Sequence, residues 1–164
     1  MENKYQNGFT LLETIVAVGL ITVGLISALA LISSSLFYVS SIEDRLIAAN
    51  LAGEGIEVVR NIRDSNWLQN PTDRTKLNLN LSNGDYQASY NSTSLSSYSR
   101  STLFLDPSTG IYSHTPSTIN TPYERKISIT NLSSYEMQVI STVTWQRRNI
   151  TYTSVIEDHL FNWK

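Results

Sequence analysis

The 164-residue sequence contains no cysteine. That excludes disulfides, thiolate metal sites and a lipid anchor on cysteine, and it leaves the compartment open. Histidine is scarce as well, with only His114 and His159. His114 sits in a Ser/Thr/Pro stretch and His159 follows Glu157-Asp158, settings that suit surface or packing roles better than metal or acid–base roles. There is no Gly-x-Ser-x-Gly elbow, no phosphate-binding glycine loop and no His-Glu-x-x-His pair, so the sequence offers no catalytic set and no cofactor site. Twelve Lys+Arg against fourteen Asp+Glu give a net charge of -2, whereas a nucleic-acid surface is usually strongly basic. Arg147-Arg148 therefore fits a solvated turn better than a nucleic-acid contact. The nine tyrosines suit strand faces and subunit contacts. Without basic company they do not make a base-stacking platform.

The most informative shortage is local. No charged residue lies between Glu13 and Glu43. Residues 8–32, GFTLLETIVAVGLITVGLISALALI, exceed the roughly 20 apolar residues a helix needs to cross a bilayer. A carboxylate near such a run costs on the order of 2.5–3.5 kcal/mol at the bilayer centre, so Glu13 needs a reason. A plain signal anchor supplies none. A secretory signal peptide would be cut after the run, and Ala28-Leu29-Ala30 matches its small-x-small site, but Glu13 inside the run would then be a burden without benefit. A third possibility is a run that is kept, with the cut ahead of it.

Gly8-Phe9-Thr10-Leu11-Leu12-Glu13 resembles the processing motif of type IV pilins and type II secretion pseudopilins. The resemblance implies a membrane peptidase that cuts between Gly8 and Phe9 and N-methylates the new terminal Phe9. It also implies a register role for Glu13, the fifth residue after the cut. Buried in a filament core, Glu13 would neutralise the cationic N-terminus of a neighbouring subunit. A buried ion left alone costs several kcal/mol, so the pairing favours one docking register. Glu13 also complements the dipole of its own helix N-terminus, which is compatible with that role. Gly19 and Gly24 within the run either ease close helix packing or reflect the ordinary glycine content of membrane helices.

The same resemblance implies an α+β fold. A long N-terminal helix, its first half transmembrane and its second half packed on the domain, precedes a C-terminal antiparallel sheet. The expected parts are a leader at 1–8, a transmembrane or filament-core helix half at 9–36 and a globular domain at 37–164. The domain divides into the second helix half at 37–66, a connector and Ser/Thr-rich loop at 67–102 and a β-meander at 103–164. The implied partners are other pilin subunits, a prepilin peptidase, an assembly platform and the membrane. The implied location is the inner membrane as a single-pass precursor, then a surface or periplasmic filament. Residues 48–67 and the C-terminal stretch resemble minor pilins and minor pseudopilins. The rival from a different class is a single-span, membrane-anchored extracytoplasmic binding domain that does not polymerise.

Beyond the apolar run, Ile42, Leu46, Ala49, Gly53 and Ile56 recur at helical spacing and predict one packed face. Glu57 with Arg60 and Arg60 with Asp64 are spaced for ion pairs on the helix surface. The helix is predicted to fade near residues 64–67, before Asn70-Pro71. Over 9–64 it would be about 80 Å long. Gly84-Asp85 starts a strand in which Tyr86, Ala88 and Tyr90 alternate with polar residues. Nine of the fourteen residues from 89 to 102 are Ser or Thr, which predicts an exposed loop. Asp106-Pro107-Ser108-Thr109-Gly110 is a turn between two short strands, and Asp106 alone is a poor calcium ligand set. Residues 123–130 alternate with Ile127 and Ile129 on one face, 131–135 turn, and Met137, Val139, Ser141, Val143 and Trp145 share the face of the longest strand. Residues 146–149 form a hairpin connection, 150–156 return as the last strand, and Leu160, Phe161 and Trp163 close the chain, with Trp163 against the sheet.

Overall fold

The computed structural model describes residues 8–70, 73 and 78–162. One helix, α1 (Leu11–Gln69), is followed by seven strands: β1 (Gly84–Gln87), β2 (Ser96–Ser97), β3 (Thr102–Asp106), β4 (Ile111–Ser113), β5 (Ile119–Asn131), β6 (Glu136–Arg147) and β7 (Ile150–Phe161). All the pairings are antiparallel and belong to one sheet. The fold is α+β, with a long apolar N-terminal helix and a C-terminal antiparallel sheet, the pilin-like arrangement. By compactness the chain divides into Met1–Glu43 and Asp44–Lys164, and α1 runs through both.

Within Asp44–Lys164, sheet and helix bury one face against each other, because neither can cover its apolar side alone. One cluster gathers Ile56, Val59 and Ile62 of α1 with Ile127, Ile129, Met137 and Val139. A second gathers Ala48, Leu51 and Ala52 with Leu103, Tyr123, Val143 and Trp145. Gly55 lies between them. A Cβ there would stand 2.4 Å from Ser141 Oγ and 3.2 Å from Arg125 Cδ, so glycine sets how closely helix and sheet approach.

The buried face of α1 is Ala48, Leu51, Ala52, Gly55, Ile56, Val58, Val59 and Ile62. The predicted face of Ile42, Leu46, Ala49, Gly53 and Ile56 is rotated from it, for Ile42 is 64% and Leu46 61% exposed. Helical spacing alone does not say which line of residues meets the sheet, and of the predicted set Ile56 alone is buried. The sheet needs small residues where the backbones approach, so the face runs through Ala48, Ala52 and Gly55 rather than through the larger Ile42 and Leu46. The helix also persists to Gln69, beyond the predicted fade at 64–67. Arg60 pairs with Glu57 and reaches Asp158 on β7 at 2.6 Å, while Asp64 takes Arg63 at 2.7 Å, so the predicted Arg60–Asp64 pair is replaced.

The meander predicted over 103–164 gives way to a different order in its first half. Strands β5, β6 and β7 follow one another as neighbours, with Ile127 opposite Ser141 and Ser141 opposite Ile156. The other edge of β5 takes β3 near its start (Leu105 opposite Ile119) and β1 near its end (Tyr86 opposite Ile127). A 13-residue β5 is long enough to carry two short strands on one edge, so β4 pairs with β3 and never reaches β5. Strand β1 ends at Gln87, short of Ala88 and Tyr90, and the Ser/Thr tract contains the short β2. Strand β7 continues past the predicted end at 156 to Phe161. Alternation does place Met137, Val139, Ser141, Val143 and Trp145 on the buried face of β6. The β6–β7 turn has Arg148 at φ 49 and Asn149 at φ 63, the left-handed pair of a tight hairpin. Trp163 and Pro71 lie outside the described residues.

Candidate functional site

The region that the sequence singles out begins where α1 begins. Thr10 stands just ahead of the helix, and its Oγ1 accepts a hydrogen bond from Glu13 N at 3.2 Å. Its carbonyl takes the first helical bond, from Thr14 N, also at 3.2 Å. Thr10 is thus the N-cap, satisfying a donor that the first turn leaves orphaned. Threonine with glutamate three residues later is the sequence signature of such a start, a signal the motif-based argument passed over. Gly8 and Phe9 precede the cap, exposed and outside any helix or strand. A Cβ on Gly8 would meet nothing within 4 Å, and Phe9 is 80% exposed. The Gly8–Phe9 bond is therefore open to approach, and Glu13 lies within the first turn of α1.

The helix that follows is long and apolar enough to cross a membrane, and none of its most apolar window is buried. Four of its hydroxyls are folded back onto the backbone. Thr14 Oγ1 donates to Leu11 O (2.8 Å), Thr22 Oγ1 to Gly19 O (2.8 Å), Ser27 Oγ to Val23 O (2.9 Å) and Ser34 Oγ to Ala30 O (3.0 Å). Such bonds satisfy donors that hydrocarbon cannot satisfy. Glu13 is the acidic residue in the first turn of this helix.

Residues 3–29 match the family model of the prokaryotic N-terminal methylation motif. The chain carries the type IV pilin/pseudopilin signature. That signature is a structural, pilin-type one rather than that of an enzyme family. In general it implies a pilus-type subunit, membrane anchoring as a precursor and processing by a prepilin peptidase. No curated protein matches the chain. No solved structure matches it.

The remaining sequence candidates lie apart from the signature, in the Asp44–Lys164 unit. His159 Nδ1 meets Glu136 Oε1 at 2.6 Å and Nε2 meets Glu157 Oε1 at 3.1 Å. Those hydrogen bonds, Glu136 first, raise its pKa above the ordinary 6.5. His114 is pushed below 6.5 by burial and then by the nearby Arg125 charge. Its Nδ1 shares a hydrogen bond with Ser101 Oγ at 3.1 Å. Asp106 Oδ1 accepts from Ser108 N and Oγ, and Oδ2 from Thr109 Oγ1. Those bonds hold its pKa below the usual value and organise the β3–β4 turn. Arg147 pairs with Asp44 of α1.

Arg125 is the buried charge that sequence reasoning missed. It is fully buried on β5. Nη1 donates to Leu51 O (2.9 Å) and Glu54 Oε1 (2.8 Å), and Nη2 to Ala88 O (2.6 Å). It ties α1, β5 and the residue that follows β1 together. The signal was in the strand alternation, for Arg125 is in phase with Tyr123, Ile127 and Ile129.

Proposed function

We propose that this chain is a minor pilin or pseudopilin, a structural subunit of a type IV pilus or a type II secretion-like filament. The observation that carries the proposal is the order Gly8-Phe9-Thr10-Leu11-Leu12-Glu13 at the start of an uncovered apolar helix. Residues 1–8 are the leader, 9–36 the transmembrane and later filament-core helix half, and 37–164 the exported domain. Prepilin peptidase cuts between Gly8 and Phe9 and methylates Phe9. The cut puts the new amine four residues ahead of Glu13, and the carboxylate pairs with the amine of a neighbouring subunit as the helix leaves lipid.

Assembly, not catalysis, is the activity. The bilayer first covers the apolar helix, and then other pilin helices do, brought together at an assembly platform in the inner membrane. The register follows from charge. A subunit docked out of place buries Glu13 without its partner, at a cost of about 3–5 kcal/mol.

Glu13→Leu tests the register role in cells that make the filament. The variant should insert into the membrane as well as the parent, because it removes a charge from an apolar span. Its incorporation into sheared or purified filaments should fall more than about tenfold. Incorporation equal to the parent's would contradict the pairing.

A further inference from the structure

Around Tyr90 the Asp44–Lys164 unit exposes neutral hydrogen-bonding groups that have no partner among the described residues. Helix α1 and the loop after β1 wall an open cleft of about 490 Å3, lined by Asn61, Tyr90, Asn91 and Thr93 among others. A second cleft of about 320 Å3 lies across Tyr90 and Asn91, walled by the β3–β4 turn and residues 115–117. Tyr90 and Asn91 line both, and Tyr90 is 48% exposed. The sizes fall in the range of small-ligand sites.

The charges along these walls are already engaged. Glu54 holds Arg125 at 2.8 Å, Arg60 holds Glu57 and Asp158, Asp64 holds Arg63, and both Asp106 oxygens are taken within their own turn. By contrast, among the described residues no hydrogen bond or ring contact engages the side chains of Asn61, Tyr90, Asn91 or Thr93. An anionic ligand would meet carboxylates and an Arg60 already shared by two of them. An apolar ligand would strand the amides, and an unpaired buried amide costs about 1–3 kcal/mol. What fits is a neutral molecule with many hydroxyls and a C–H face. Each primary amide offers both a donor and an acceptor, and an aromatic ring supplies rigid contact area with a polar tip.

We propose that the paired clefts bind a neutral oligosaccharide, with one sugar ring against Tyr90 and its hydroxyls on the amides of Asn61 and Asn91. Two clefts that share Tyr90 and Asn91 suit a linear chain rather than a single sugar. The site stands on the domain alone and does not depend on filament assembly.

The test is a titration of the 15N-labelled full chain in a phosphocholine detergent, which avoids the competing sugar heads of glycosidic detergents. Chitotetraose, cellotetraose and maltotetraose are the probes, and a heparin tetrasaccharide is the charged control. A saturable shift of the Asn61 and Asn91 side-chain amides with at least one neutral probe is expected. A response to chitotetraose alone points to an N-acetylated, cell-wall-type glycan, and a response to either glucan points to an unsubstituted one. Tyr90→Ala should weaken that binding about tenfold, and Tyr90→Phe should keep it. If Tyr90→Ala disturbs the spectrum as a whole, Asn91→Ala takes its place and should weaken binding severalfold. No saturable shift with any neutral probe at millimolar concentration overturns the proposal. So does stronger binding of the heparin fragment, or an unchanged affinity in a folded Tyr90→Ala variant.

Discussion

Gly55 occupies a place where a methyl group does not fit. An added Cβ would overlap the Ser141 hydroxyl and also stand 3.2 Å from Ser141 Cβ and Arg125 Cδ, so rotating the hydroxyl alone does not clear it. Gly55→Ala should therefore destabilise the domain by about 1–3 kcal/mol, the usual range for overpacking, despite alanine's better helix propensity. Urea unfolding of the full chain in detergent checks this, and an equal or higher midpoint would contradict it. The two histidines give a second test at this scale. The His159 pKa is raised by Glu136 and Glu157, so the stability this group contributes is full below pH 6.5 and is lost as pH rises through its folded value. His114 has the opposite sign. Its lowered pKa favours the neutral ring, so stability is lost as pH falls below 6.5 toward the folded value. An NMR titration of the imidazole protons should show midpoints on opposite sides of 6.5, and two on the same side would contradict the described surroundings. Neither pairing was legible in the sequence. Glu136 and His159 lie 23 residues apart and meet only because Gln138 stands opposite His159 in the β6–β7 register.

Among the elements, α1 shows where periodicity stops being enough. Any amphipathic helix contains several lines of apolar residues at helical spacing, and spacing alone pointed to the line through Ile42, Leu46, Ala49, Gly53 and Ile56. The sheet instead selected the line with the smallest side chains at closest approach, and only the opposing strands contain that information. Leu51→Ala and Leu46→Ala separate the two faces. Leu51 is 3% exposed and Leu46 61%, so Leu51→Ala should cost about 2–5 kcal/mol and Leu46→Ala no more than about 0.5 kcal/mol. Equal losses in chemical unfolding would restore the rejected face. The strands were more legible. Alternation through Met137, Val139, Ser141, Val143 and Trp145 placed the buried face of β6 correctly, because a period of two admits only two choices. The ends were less so. Strand β7 runs past Ile156 because Asp158 meets Arg60 and Leu160 reaches the core, contacts with α1 that no local pattern announces.

At the scale of the whole molecule, the α+β class was legible and the strand order was not. A hydrophobic span followed by polar, strand-rich sequence limits the architecture to few arrangements. Nothing local tells β5 to hold both β1 and β3 on one edge, since that pairing closes loops of many residues. The signature at residues 3–29 was the most legible feature, because it is carried by adjacent residues and owes little to folding. The account as a whole turns on what happens at the bond between Gly8 and Phe9. Intact mass and N-terminal sequencing of the protein extracted from membranes test it most directly. The account predicts a chain that has lost its first eight residues and begins with N-methylated Phe9. A chain that keeps Met1, or one that begins after Ala30, would contradict it.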